Sequence, residues 1–306
     1  PREQQQALAT LQTARDCLRW GESALRRAGV YLGHGTDDHG DECLALLLHV
    51  LALPLDTDPR MLDARLLPDE IDRFVALLTR RADERVPVAY LTGQAWFCGL
   101  PFFVDERVLI PRSPLAELIE AGFQPWLAPE RVGRVLDLCT GSGCIAIACA
   151  HALPDARVDA SDISDQALAV CRRNIDEHGL ADRVTAVQAD GLEGLDGPYD
   201  LIVSNPPYVD AEDLAAMPDE YRHEPELALA SGHDGLDFTR RLLAGAAERL
   251  SEDGVLIVEV GNSDRHMAAL WPDVPFMWFE FERGGHGVFM LDRRQLLAFR
   301  DQFIAA

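Results

Sequence analysis

Apolar residues recur at three- and four-residue steps through the first 85 positions. Leu8, Leu11, Ala14, Cys17, Leu18 and Ala24 form one series, Cys43, Leu44, Leu46, Leu47, Val50 and Leu51 a second, and Ile71, Phe74, Val75, Leu77 and Leu78 a third. That spacing lines one face of successive helices. Pro68-Asp69-Glu70 marks a helix start, because proline fits the first turn and acids complement its positive end. After Arg85 the period shortens. Val86 to Ile110 carries Tyr90, Trp96, Phe97, Phe102, Phe103, Val104 and Val108, broken by Gly93, Gly99 and Pro101, which predicts short strands, turns and a hairpin. A helix is expected at Pro114–Ala121. From Val132 onward, strand-like runs at Arg134–Leu138, Arg157–Ser161, Val184–Gln188, Asp200–Ser204 and Val255–Val260 alternate with helical patterns at Cys144–Ala152, Asp165–His178 and Phe238–Leu250. Such alternation predicts an α/β domain, a parallel sheet with helices on both faces. Phe276–Phe281 and Gly287–Leu291 read as a closing antiparallel hairpin on the sheet edge. The chain thus divides into a helical domain over 1–85, a β-hairpin linker over 86–112 and an α/β domain over 113–306.

Composition narrows the class. The 306 residues are 48% hydrophobic and 26% charged, which suits folded domains with buried cores. There are 51 acids against 28 cations, every one an arginine, for a net charge of −23. The missing lysine reads as a genome that prefers arginine codons. So acidic a chain is ill suited to gripping phosphate backbones, and no direct nucleic-acid binding is expected. A basic protein partner fits it better. Residues 1–90 hold 15 acids and 11 arginines, the remainder 36 and 17, so the excess lies in the second part. It is densest from Asn205 to Asp237, with nine acids and one cation, Arg222. No apolar run reaches spanning length and no charged-then-apolar leader opens the chain, so no membrane association is expected. Seven irregularly spaced cysteines suit free thiols in a reducing cytoplasm.

Val135 to Ala146 reads as strand, tight turn and helix start around Asp137-Leu138-Cys139-Thr140-Gly141-Ser142-Gly143. Glycines there let the backbone pass close to a ligand. Asp162 ends the next predicted strand, where a carboxylate can accept both hydroxyl hydrogens of a ribose. Two cofactor readings share these features. Gly141, Gly143 and Ala146 fit the looser dinucleotide pattern. Asp137, four residues before Gly141, sits awkwardly beside a pyrophosphate but suits a cationic, amino-acid-bearing ligand. S-adenosylmethionine carries an ammonium, a sulfonium and a ribose and no phosphate, so the order favours it.

The strand Asp200–Ser204 runs straight into Asn205-Pro206-Pro207-Tyr208. Two prolines fix their own φ and push each preceding residue toward extended geometry. The result is a stiff loop at the carboxyl end of a strand, where open α/β sheets bind ligands. It presents the Asn205 side chain, the Pro206 carbonyl and the Tyr208 ring. An amide nitrogen is a poor nucleophile because its lone pair is delocalised. Acceptors for both of its hydrogens, Asn205 Oδ1 and the Pro206 carbonyl, would orient it and favour a pyramidal nitrogen, while Tyr208 packs on the planar group.

Asp137 to Gly143, Asp162 and Asn205–Tyr208 resemble the S-adenosylmethionine-dependent methyltransferases of amide or exocyclic amino nitrogen. Phe97-Cys98-Gly99 and the run Phe103 to Pro114 are similar to the protein-glutamine N5-methyltransferases, whose substrates are release factors and a ribosomal protein. Where the release-factor branch reads Pro-Arg-Pro-x-Thr-Glu, this chain has Pro111-Arg112-Ser113-Pro114-Leu115-Ala116-Glu117. It is more similar to the branch that modifies large-subunit ribosomal protein three, as are Tyr31–Asp37, Ala95–Gly99, Asn205–Asp213 and Glu220–Leu227. The resemblance spans nearly the whole chain. It implies a helical N-terminal substrate-recognition domain and a Rossmann-like, seven-stranded methyltransferase sheet, its last strand antiparallel. It implies cofactor contacts at Asp137, Cys139, Thr140, Gly141, Ser142, Gly143, Asp162, Ile163, Asp190, Gly191 and Asn205. Substrate glutamine would meet Asn205, Pro206, Pro207, Tyr208 and Arg112. Release-factor glutamine and the adenine N6 of nucleic acid remain the alternative substrates.

Other clusters point to chemistry less well. His34, Asp37, Asp38, His39, Asp41 and Glu42 are metal-like in composition but glycine-flanked, and read as a polar loop capping a helix over Asp41–Leu51. Cys139, Cys144 and Cys149 match no zinc spacing, and no metal is expected. Ser142 lacks the flanking pattern of a hydrolase nucleophile. His223 and His233 lie near the substrate loop in sequence and read as ordinary loop histidines.

Overall fold

A computed structural model describes residues 9–305, so Leu8 lies outside the described residues. The chain forms two compact units. One runs up to Ala95 and includes the distant segment Pro218–His223; the other holds Trp96–Met217 and the chain from Glu224 onward.

The first unit is built from helices Ala14–Ala28, His39–Leu51, Pro68–Asp83 and Val88–Thr92. Their apolar stripes meet in a core that includes Cys17, Leu25, Cys43, Leu46, Phe74 and Leu78. Asp38 caps the second helix by accepting the Gly40 and Asp41 N–H groups, so that helix starts at His39 rather than Asp41. Pro68 opens the third, and the Glu70 side chain accepts the Leu67 N–H at 2.7 Å. Val88–Thr92 is helical where short strands were expected, entered from Pro87 and closed by left-handed Gly93. Arg81 is 1% exposed and forks onto Glu42 at 2.8 and 3.1 Å. Its Nη1 donates to Glu220 of the inserted segment at 3.2 Å, and Glu220 also accepts the Tyr31 N–H at 2.8 Å.

In the second unit, β1 (Gln94–Phe97), whose first residues belong to the helical unit, pairs with β2 (Leu100–Phe103). Cys98 and Gly99 join them at φ 49° and 70°, the left-handed pair whose twist matches a tight hairpin. The expected helix forms at Leu115–Glu120. A seven-stranded sheet follows: β3 (Arg134–Leu138), β4 (Arg157–Asp162), β5 (Val184–Gln188), β6 (Tyr199–Ser204), β7 (Leu250–Glu259), β8 (Met277–Trp278) and β9 (Val288–Asp292). Their order is β5-β4-β3-β6-β7-β9-β8. The first five strands pair in parallel, and β9 runs antiparallel to both β7 and β8. This is the Rossmann-like, seven-stranded sheet that the resemblance implies, with the closing hairpin at its edge.

Strand periodicity divides the core. Val135, Leu201, Val203 and Ile257 face the layer that contains helix Cys144–Ala152; Leu136, Ile202, Leu256 and Val258 face the layer with Leu242 and Leu243. Helix Cys144–Ala152 is buried from Cys144 to Ala150, which explains its lack of a polar face and the burial of Cys144 and Cys149. Three differences from the sequence reading exceed two residues. The helix expected to reach Leu250 stops at Gly245, and β7 begins at Leu250 because Leu250 pairs with Tyr199 across a register shift. Only Met277 and Trp278 of the run 276–281 join the sheet. Short helices at Ala211–Ala216, Asp264–Leu270, Arg293–Ala298 and Arg300–Ala305 span too few turns to show a period. Among the described residues no helix is long and apolar enough to cross a membrane.

Candidate active site

β3 and β6 are neighbours, and the helices that follow them pack on opposite faces of the sheet. A crevice at the carboxyl ends of the strands is the geometric consequence. It is a cleft of about 240 Å³, with Gly141, Asp162, Ile163, Asp190, Gly191 and Asn205 among its walls. Cys139 and Pro207 also line it.

The turn after β3 divides its labour. Cys139, Gly141 and Gly143 take φ of 60°, 55° and 82°. A Cβ on Gly143 would lie 2.7 Å from Cys171 Sγ, so that glycine lets helix Asp165–Glu177 approach. A Cβ on Gly141 would meet nothing within 4 Å, which leaves the cleft wall bare backbone. Asp137, Thr140, Ser142 and Gly143 stand behind this wall rather than on it. Asp137 is fully buried; its Oδ2 accepts Thr140 Oγ1–H at 2.5 Å and the Ala146 N–H at 3.0 Å, and its Oδ1 has no partner. Burial pushes its carboxyl up to about 7 against the pull of those two bonds. In this structure Asp137 braces the turn. The Ser142 carbonyl accepts Asn174 Nδ2–H at 2.8 Å.

Asp162 Oδ2 accepts the Gly141 N–H at 3.0 Å and Oδ1 the Ser164 N–H at 2.9 Å. Burial raises its pKa and these backbone bonds oppose the rise. Each oxygen keeps acceptor capacity toward the cleft. Ile163 beside it is 48% exposed, an apolar plate on the wall. The cleft also has two arginines, each engaged by an acid: Arg241 by Asp190 at 2.8 Å, and Arg107 by Asp105 at 2.8 and 2.5 Å.

The loop after β6 starts from an anchored strand end, where Ser204 Oγ–H donates to the Leu138 carbonyl at 2.8 Å. Asn205 follows, its Oδ1 buried and without a partner. A buried unpaired amide oxygen is costly, by about 1–3 kcal/mol, and marks a place where a donor is missing. Pro206 is buried and Tyr208 half-buried, and neither lines the cleft. The loop exit is tied by Val209 N–H to the Leu229 carbonyl at 2.8 Å and Ser231 N–H to the Val209 carbonyl at 3.1 Å. Tyr208 O–H donates to Glu259 Oε1 at 2.8 Å, and its carbonyl accepts Ser263 Oγ–H at 2.7 Å.

Other expected residues sit elsewhere. Arg112 forks onto Glu224 at 2.6 and 2.9 Å and does not line the cleft. His223 bonds the Glu84 carbonyl at 2.8 Å, inside the helical unit. His233 is exposed, away from the cleft walls. Of the metal-like cluster, Asp38 caps a helix, Glu42 holds Arg81 and the His34 ring packs at a tilt against Tyr221, centroids 4.5 Å apart. The acid run 205–237 is not a bare solvated face. Asp210 pairs with Arg265, Glu220 with Arg81, Glu224 with Arg112, and Asp234 and Asp237 with Arg240, while Glu212 and Glu226 stand exposed. Sequence reasoning missed Glu259 and Ser113, which hold Tyr208 from behind; an acid closing the apolar run Val255–Val260 was the available signal.

The family model described as the methyltransferase small domain matches residues 123–218. The ribosomal protein uL3 glutamine methyltransferase of Neisseria gonorrhoeae is 52% identical over 293 residues, covering 95% of this chain and 98% of that protein. Its namesake from Neisseria meningitidis serogroup B is 51% identical, over 95% and 97%. Among solved structures, a methyltransferase from Pyrococcus furiosus aligns with a TM-score of 0.46 at 19% identity, over 64% of this chain and 89% of that one. At 52% identity over 95% of its length to the first of these relatives, the chain belongs to the family of ribosomal protein uL3 glutamine methyltransferases.

Proposed function

We propose that the protein transfers a methyl group from S-adenosylmethionine to the side-chain amide nitrogen of a glutamine in large-subunit ribosomal protein uL3. The carrying observation is Asn205 Oδ1, a buried acceptor without a donor, one residue beyond the anchored end of β6 and on the wall of the Asp162 cleft. The cleft suits the cofactor on three counts. Gly141 leaves bare backbone, Asp162 has acceptor capacity for ribose hydroxyls, and Ile163 offers apolar surface for a base. Its two arginines are occupied by Asp105 and Asp190, which leaves a pyrophosphate poorly served. Cys139, Asp190 and Gly191 complete the proposed cofactor walls, with Asp137, Thr140, Ser142 and Gly143 as their support.

When bound, S-adenosylmethionine supplies an electrophilic methyl on a sulfonium. The protein's part is alignment. Asn205 Oδ1 and the Pro206 carbonyl accept the two amide hydrogens and turn the nitrogen lone pair toward the methyl, while Pro207 and Tyr208 flank the amide plane. These hydrogen bonds strengthen as the nitrogen gains positive character, so they bind the transition state better than the ground state. No strong base is needed, because the nitrogen becomes acidic only as it is methylated; the N–C bond would form as the S–C bond breaks, with S-adenosylhomocysteine as the leaving group and the surplus amide proton passing to water. In this proposal Arg112, held by Glu224, shapes the substrate side rather than touching the reacting atoms. A basic ribosomal protein met in the cytoplasm agrees with the net charge of −23 and with exposed Glu212 and Glu226.

The test is transfer of labelled methyl from S-adenosylmethionine to purified uL3, a release factor and nucleic acid in parallel, with mass spectrometry of the product. Label on one uL3 glutamine supports the proposal. Label only on the release factor or nucleic acid replaces its substrate, and no transfer at all overturns the enzymatic reading.

A further inference from the structure

Asn174 lies in helix Asp165–Glu177, fully buried and absent from the cleft walls. Its side-chain amide bonds three backbone groups in two separate segments. Oδ1 accepts the Phe103 N–H at 2.8 Å, while Nδ2 donates to the Phe103 carbonyl at 3.0 Å and to the Ser142 carbonyl at 2.8 Å. Both amide hydrogens are thus used. Toward Phe103, the last residue of β2, the amide pairs as a residue of a neighbouring strand would. Toward Ser142, it holds the turn that supplies Cys139 and Gly141 to the cleft. Gly143 makes this reach possible, because a Cβ there would lie 2.7 Å from Cys171 Sγ, one turn before Asn174 on the same helix.

The segment that leaves Phe103 is stiff as far as the cleft. Val104 is fully buried, Asp105 Oδ1 accepts the Arg107 N–H at 3.1 Å, and the Asp105 carbonyl accepts the Val108 N–H at 3.1 Å. Arg107, Val108 and Leu109 then line the cleft, and Glu224 accepts the Ile110 N–H at 2.9 Å beyond them. A shift of Phe103 against Ser142 would therefore reach the wall residues rather than be absorbed in a slack loop. The two segments belong to different sheets, β2 to the two-stranded one and the Ser142 turn to the seven-stranded one. A buried amide is costly unless its polar atoms are bonded, and helix packing alone asks only for an apolar side chain here. What the amide adds is a join between two walls of one cleft.

We propose that Asn174 is a positioning residue for the cofactor: it fixes the spacing between the glycine turn and the Arg107–Leu109 segment, and with it the width of the cleft. This rests on the proposed reading of that cleft as the S-adenosylmethionine site.

Two measurements on the full chain test it. The first is backbone hydrogen exchange without cofactor. Asn174→Ala should speed exchange at least about tenfold both in residues 103–108 and in the turn 139–143. Faster exchange at Phe103 with an unchanged turn would mean that the amide only caps β2, and would overturn the proposal whether or not the cleft takes the cofactor. The second is S-adenosylmethionine affinity by calorimetry. Asn174→Ala should weaken it at least about tenfold, whereas Ile175→Ala, a core truncation one residue away, should change it less than about twofold. Equal losses in the two variants would mean that Asn174 supports only the fold, and overturn the proposal equally. A wild-type protein that binds no S-adenosylmethionine would strike the reading of the cleft instead, and the exchange result would still decide the join. Asn174→Leu has a side chain of similar size without a hydrogen-bonding atom, so it covers the case in which the alanine variant does not fold. It should match the alanine variant in both measurements; wild-type exchange in the turn together with wild-type affinity would overturn the proposal.

Discussion

Asp137→Asn isolates the turn that supports the cleft. The carboxyl is fully buried, accepts two hydrogen bonds on Oδ2 and none on Oδ1, and burial raises its pKa from 3.8 to about 7. The folded protein therefore keeps a proton that the unfolded chain releases near 3.8. Between those values the unfolded state binds fewer protons, so this group's contribution falls as pH rises and is fully lost above about 7. At 1.36 kcal/mol per unit, the loss between pH 5 and 8 is about 3 kcal/mol. Asparagine does not titrate, and its amide oxygen can take both bonds from Thr140 and Ala146. Its NH2 would occupy the unpartnered side, at about 1–3 kcal/mol independent of pH. The difference in stability between variant and wild type should thus move in the variant's favour by about 3 kcal/mol from pH 5 to pH 8, since all other titrating groups cancel. Urea unfolding of both proteins at the two pH values, without cofactor, reads this directly. A difference that stays constant with pH would show that Asp137 does not titrate in that window, and would refute the account of the turn as a neutral, buried brace.

Three further outcomes follow from the site and the helical unit. Asn205→Ala should lower kcat by about a hundredfold or more while leaving S-adenosylmethionine affinity within about twofold by calorimetry; near-normal turnover would remove Asn205 as an acceptor. Asp162→Ala should weaken cofactor affinity at least about tenfold, since it removes the ribose acceptor and also frees the Gly141 N–H, and unchanged affinity would reassign that carboxylate. Glu220→Ala should destabilise the helical unit by about 3 kcal/mol, because it strips a buried guanidinium and the Tyr31 N–H of an acceptor. Asp219→Ala, one position away in an exposed pair with Arg222, should change stability by less than about 0.5 kcal/mol, so equal losses in urea unfolding would refute the buried network.

The sequence by itself determined the elements and their order. The strand-like runs that alternate with helical patterns became β3 to β7, the helices between them formed where the spacing changed, and Gly141, Asp162 and Asn205 reached one cleft. Motifs at strand ends are legible because parallel topology carries every carboxyl end to the same edge. Short helices such as Ala211–Ala216 and the end of helix Asp237–Gly245 were not legible, since a turn or two shows no period and tertiary pairing of Leu250 with Tyr199 decided the boundary. The acid run shows the limit most clearly. In one dimension it has nine acids and a single cation; in three, arginines from positions 81, 112, 240 and 265 arrive to bind most of it. The same holds for Glu259, whose two partners, Tyr208 and Ser113, lie 51 and 146 residues from it along the chain. Charge pairing and side-chain locking depend on distance in space, and only the fold sets those distances.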